Sequence, residues 1–77
     1  MDDVTELALR LESLDRQIPG QDMLTVQQVG QVAKIPTATI YDALRDGRLK
    51  GTRQGTGWRV SKIAYLRWQI ARGDGQP

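Results

Sequence analysis

The 77-residue chain contains no cysteine and no histidine. The first absence excludes a disulfide framework, and the two together exclude a zinc site of the Cys/His kind. They also remove the usual general base and the thiol nucleophile. No Gly-rich phosphate loop opens a helix, because Gly55-Thr56-Gly57 leads into an extended run. The carboxylates sit mostly in the first quarter of the chain, with no paired pocket. No enzymatic activity, cofactor or small-molecule substrate is therefore expected. No apolar run approaches the roughly 18 residues of a membrane span. No basic segment followed by an apolar stretch marks a secretory signal at the N-terminus. The chain is expected in the cytoplasm, with no membrane partner. This length makes one domain, which buries only about 60% of its unfolded surface. Without disulfides or zinc, packing, self-association or a ligand such as DNA must add the remaining stability.

Net charge is only +2, but it is divided unevenly. Residues 1–22 carry six acids against Arg10 and Arg16, hence 2 − 6 = −4. Residues 23–77 carry nine Lys and Arg against Asp42, Asp46 and Asp74, hence 9 − 3 = +6. An acidic arm on a basic body points to a polyanion as the body's partner.

The arm reads as a helix over residues 3–18. Asp3 and Glu6 fit a capping box. Val4, Leu7, Leu11, Leu14 and Ile18 then form one apolar seam, and Pro19-Gly20 ends the helix. Two heptads are too few for a free-standing coiled coil, so the seam packs either on the domain's own core or on a second subunit.

A second capping box, Thr25 with Gln28, opens a helix through Ala33 whose Gly30 marks a close helix approach. Pro36 ends it, and either Thr37 caps the next helix or Pro36 sits in its first turn. That helix, about residues 38–46, turns Ile40, Ala43 and Leu44 inward and is stopped by Gly47. Thr37, Ala38, Tyr41, Asp42 and Arg45 face outward. Two extended runs, Lys50 to Gln54 and Trp58 to Val60, flank the Gly turn as a hairpin. Trp58 and Val60 share its inner face. Ser61 caps a last helix through Arg72, closed by Gly73. Ile63, Leu66 and Ile70 make its expected stripe, with Tyr65 and Trp68 at the rim. Arg48, Lys34 and Lys62 are expected as solvated charges. The expected organisation is an amphipathic arm with a Pro-Gly linker (1–22), a basic domain (23–72) and a frayed tail (73–77).

The pattern Ile-Pro-Thr-Ala-Thr-Ile-Tyr-Asp-Ala-Leu-Arg-Asp-Gly-Arg-Leu from Ile35, a basic strand, a Gly turn and Trp58-Arg59-Val60 resemble the excisionase family. These are phage and mobile-element DNA-binding proteins related to the MerR-like winged helix-turn-helix regulators. The resemblance covers about Leu24 to Trp68. It departs from the family's usual turn, which carries Gly and Ser where this chain has Lys34 and Pro36, and it leaves the acidic arm outside.

The resemblance implies a mainly α fold with a small β-hairpin: a winged helix-turn-helix preceded by the amphipathic helix. The second helix would enter the major groove and the hairpin, as a wing, the adjacent minor groove. On the helix, Ala38 suits a thymine methyl, and Asp42 either accepts from a cytosine amino group or holds Arg45 in place. Thr37, Thr39 and Tyr41 carry hydroxyls suited to phosphates, and Arg45 reads base or phosphate. Wing candidates are Arg53 and Arg59, with Lys50, Gln54 and Thr56 beside them. The implied function is a DNA-bending excisionase that binds attachment-site duplex as several copies in head-to-tail array and directs a phage integrase toward excision. A small MerR-like transcriptional regulator, and a module whose basic face meets an acidic protein, are the alternatives. Because the recognition helix offers few long basic side chains, most of the affinity is expected from the wing, phosphates and neighbouring copies.

Overall fold

The computed structural model describes residues 3–55 and 57–72, without the side chain of Asp3. The spacing of apolar residues in the arm produces α1, Asp3–Gln17. Its seam packs on the chain's own core: Leu14 is 2% exposed, and Leu7, Leu11 and Ile18 lie half-buried against the same cluster. Of these five candidates for subunit contact, only Val4 leaves this arrangement, at 75% exposed. Val4 stands in the first turn of α1, beyond the part of the seam that meets the core. Glu6 pairs with Arg10 one turn on, at 2.8 Å.

After the Pro-Gly break comes β1, Met23–Thr25, which runs directly into α2, Val26–Ala33. Thr25 ends the strand and caps the helix: its side chain accepts from the Gln28 amide, and the Gln28 side chain accepts from the Thr25 amide. The helix stops at Lys34, which takes the left-handed conformation at φ 60° and donates its amide to the Gly30 carbonyl. Only glycine occupies that region without steric cost, so Lys34 holds a backbone conformation that a residue with a Cβ rarely adopts.

The next helix, α3, spans Thr37–Asp46. Pro36 is its N-cap and contributes no side-chain hydrogen bond, so Thr37 is already helical and does not cap. Gly47, at φ 82°, ends it. A Cβ on Gly30 would lie 3.2 Å from the Ile35 carbonyl and 3.3–3.4 Å from Thr37 and Ile40, so the glycine sets the close approach of α2 and α3.

Strands β2, Thr52–Gln54, and β3, Gly57–Ser61, form the expected hairpin. The sheet has a third strand, however. β1 pairs antiparallel with β3, Leu24 opposite Val60, giving the order β1-β3-β2. Three residues before a helix carry too little alternation to announce a strand; pairing with the free edge of β3 creates it. The chain is thus mainly helical with a small three-stranded antiparallel sheet.

Ser61 caps α4, Lys62–Ala71, by accepting from the Ala64 amide. Of the expected aliphatic stripe of α4 only Leu66 is fully buried, and Tyr65 and Trp68, expected at the rim, are buried beside it. Tyr65, Leu66 and Trp68 are 1%, 2% and 4% exposed, while Ile63 is 38% exposed and Ile70 half-buried. The helix is rotated by the need to pack against α1, and the Tyr65 hydroxyl, which has to find a partner when buried, accepts from the Gln69 side chain at 2.9 Å.

Lys62 also departs from expectation: it is 4% exposed rather than solvated. Its ammonium donates to Asp15 at 2.8 Å and to the Ile18 carbonyl at 2.5 Å, tying α1 to the start of α4. Among the described residues no buried side-chain polar atom lacks a partner, and no helix is long and apolar enough to cross a membrane. Gly73, the 73–77 tail and Thr56 lie outside the described residues.

These caps and ties set the expected response of stability to substitution. Lys62→Ala removes a buried donor from two acceptors and should lower unfolding free energy by about 1.5–3 kcal/mol. Asp15→Asn should cost under about 1 kcal/mol, because Asp15 is half-exposed and the Ile18 carbonyl keeps its donor. Lys34→Gly, relieving the left-handed cap, should raise stability by about 0.5–1 kcal/mol. Urea unfolding of the three variants checks all of this; a costlier D15N than K62A, or a destabilised K34G, would contradict it.

Candidate nucleic-acid interface

The outward side of α3 follows from which of its residues are taken by the core. Ile40, Ala43 and Leu44 are buried, so Thr37, Ala38, Tyr41, Asp42 and Arg45 are left exposed. Thr39 is exposed as well, its amide bonded to the Pro36 carbonyl. Asp42 and Arg45 form an ion pair with one another along the helix. Of the two roles considered for Asp42, this geometry matches the holding of Arg45. The same pairing reduces the free positive charge of α3.

Beside α3 stands the β2–β3 hairpin. Arg53 lies opposite Trp58 across the strands, and its guanidinium sits 5.4 Å from the centre of the indole ring. Trp58 is half-buried instead of fully in the core, one face against it and the other under Arg53. This stacking orders a side chain that would otherwise sample many rotamers. Arg59, also half-buried, donates to the Trp58 carbonyl at 3.2 Å. Gln54 is exposed near the turn. Lys50 belongs to no strand, since β2 begins at Thr52; it lies in the connection from α3 and, with Arg48, lines a groove against Ile63, Arg67 and Trp68 of α4.

A cleft of about 170 Å³ joins the two elements, lined by Thr25, Gln27, Tyr41, Gly57, Trp58 and Arg59. It brings the α3 candidate Tyr41 and the hairpin candidate Arg59 to one hollow. It also adds Gln27 and Trp58, which the sequence pattern does not place at the site. Gln27 has a local signal, since the Thr25 cap puts it in the first turn of α2. Its position beside Arg59 arises only from the β1–β3 pairing.

Gly51 sets the spacing between the two halves. A Cβ there would lie 2.6 Å from Leu44 Cδ2, 3.1 Å from the Arg59 carbonyl and 3.3 Å from the Trp58 ring. Hairpin and α3 therefore meet at a position where only hydrogen fits. No group of carboxylates that could hold a metal occurs among the described residues.

Comparison of the chain with family models, curated proteins and solved structures gives no match. The interface thus rests on its own geometry: an exposed helix face, an arginine-bearing hairpin and a shared cleft.

Gly51→Ala should cost about 1–3 kcal/mol through overpacking, and it should move the hairpin relative to α3. The Trp58 fluorescence and indole NMR signal report both; an unshifted Trp58 environment with unchanged stability would contradict the spacing role.

Proposed function

We propose that the chain is a winged helix-turn-helix DNA-binding protein, with α2 and α3 as the helix pair and the β2–β3 hairpin as the wing. It binds duplex DNA with the exposed side of α3 in the major groove and the hairpin over the neighbouring minor groove. The observation that carries this reading is the shared hollow in which Tyr41 of α3 meets Arg59 of the hairpin, with Arg53 stacked next to it on Trp58. A major groove admits one helix, and a narrow minor groove attracts arginine.

The distribution of charge shapes the mode of binding. Arg45 is held by Asp42 and Arg48 pairs with Asp46 at 3.0 Å, while Arg53 and Arg59 have no carboxylate partner among the described residues. Base reading by α3 is then modest, and the wing and phosphate contacts supply most of the affinity. With the excisionase resemblance at Ile35 to Val60, this supports an architectural role. The protein binds attachment-site DNA as several copies, bends it, and steers an integrase toward excision, in the cytoplasm of a bacterial host. Bending a site costs on the order of 1–6 kcal/mol, which added contacts between protein and DNA offset.

Replacing both Arg53 and Arg59 with Ala should weaken binding to a duplex carrying the site. It should also lower the magnitude of the slope of log affinity against log salt by about 2, near 0.9 for each phosphate no longer neutralised. Fluorescence anisotropy over a salt series measures both. Unchanged affinity and slope in the folded double variant would sink the proposal.

A further inference from the structure

Arg45 and Arg53 are held in different ways, and the difference decides which of them stays available to a ligand. Arg45 is paired with the Asp42 carboxylate, so its charge is answered within α3. Arg53 has no carboxylate partner among the described residues. Its guanidinium lies instead over the Trp58 ring, 5.4 Å from the centroid. An aromatic ring attracts a cation through its quadrupole. It cancels no charge, and it accepts none of the N–H donors that spread in the guanidinium plane as a carboxylate does. A side chain held in this way is ordered and still fully charged.

The ring is itself fixed. Trp58 stands directly opposite Arg53 in the β2–β3 register, which places both side chains on one face of the hairpin. Trp58 also packs against the core cluster. Its indole lies against Gly51, where an added Cβ would stand 3.3 Å from Trp58 Cε3. Arg59 is tied to the same residue through a different atom, donating to the Trp58 carbonyl at 3.2 Å. That acceptor belongs to the backbone and survives any change of the Trp58 side chain.

We propose that Trp58 is a positioning residue of the wing: its ring holds Arg53 in place while leaving the charge and the donors of Arg53 free for the duplex. The proposal deepens the DNA-binding reading and rests on it for what Arg53 contacts. A long side chain ordered before binding loses less freedom when it binds. Trp58 itself need not touch the ligand, since it acts through Arg53.

Two measurements on the full chain test this. The first is anisotropy on a duplex carrying the site, over a salt series. Trp58→Leu keeps an apolar side chain against the core and removes the ring. It should weaken binding about 2- to 5-fold, the worth of an exposed cation–π contact. The slope of log affinity against log salt should not change, because no charge is lost. In an Arg53→Ala background the ring has nothing to hold, so Trp58→Leu should cost nothing further. Trp58→Phe keeps a smaller ring and should fall between wild type and Trp58→Leu; it supports the same cycle if Trp58→Leu does not fold. The second measurement is nitrogen relaxation at the arginine Nε positions of the protein without DNA. Trp58→Leu should lower the order of Arg53 Nε and leave Arg59 Nε unchanged, since the carbonyl acceptor of Arg59 remains.

The proposal is overturned if the ring substitution costs as much affinity in the Arg53→Ala background as alone, which is the mark of a structural role only. It is overturned as well if affinity is unchanged, or if Arg53 Nε is as mobile in the wild type as in Trp58→Leu. A wild-type chain without salt-sensitive duplex binding rejects the DNA reading instead, and the Nε measurement alone then decides whether the ring holds Arg53.

Discussion

The constraint on which the rest of the structure depends is the position of β3 between two partners. β2 alone would leave a two-stranded hairpin, which is marginal in water. β1 adds a second ladder, with Leu24 and Val60 both fully buried at its centre. Because Thr25 both ends β1 and caps α2, this ladder also sets where α2 starts relative to the hairpin. The cleft joining Gln27, Tyr41 and Arg59 is the consequence. A rigid hairpin and a rigid helix pair share one strand, so the arginines of the one are held in register with the exposed face of the other.

The second tie is the buried ammonium of Lys62. A charge in the interior is tolerable only where its hydrogen bonds are met, and here α1 supplies the acceptors through Asp15 and Ile18. The acidic arm is therefore part of the domain. That placement leaves Leu9 exposed on the opposite side of α1, and it turns α4 so that Ile63 lines an open groove.

Charge is distributed so that the arginine of α3 is held by a carboxylate of the same helix. Asp42 and Asp46 each engage an arginine, and among the described residues the cations without a carboxylate partner lie on the hairpin, on α4, in the connection between α3 and β2, and at Lys34 after α2. Such an arrangement leaves the outward face of α3 with little free positive charge.

Most of the local order was legible in the chain. The Thr25–Gln28 box, the Ser61 cap, the Gly47 stop, the inward set Ile40, Ala43 and Leu44, and the hairpin around Gly55 are all set by interactions within a few residues, and local propensity and periodicity report such interactions directly. Tertiary structure alone decided the rest. β1 exists because β3, far along the chain, offers a free edge in register. Lys62 is buried because α1 closes over it, and Tyr65 with Trp68 displaces Ile63 from the core because α4 must satisfy α1 on one side. Gly51 carries the approach of hairpin to helix, a contact that no local pattern announces. Each of these depends on a partner distant in sequence, and the residue types alone are compatible with more than one such partner.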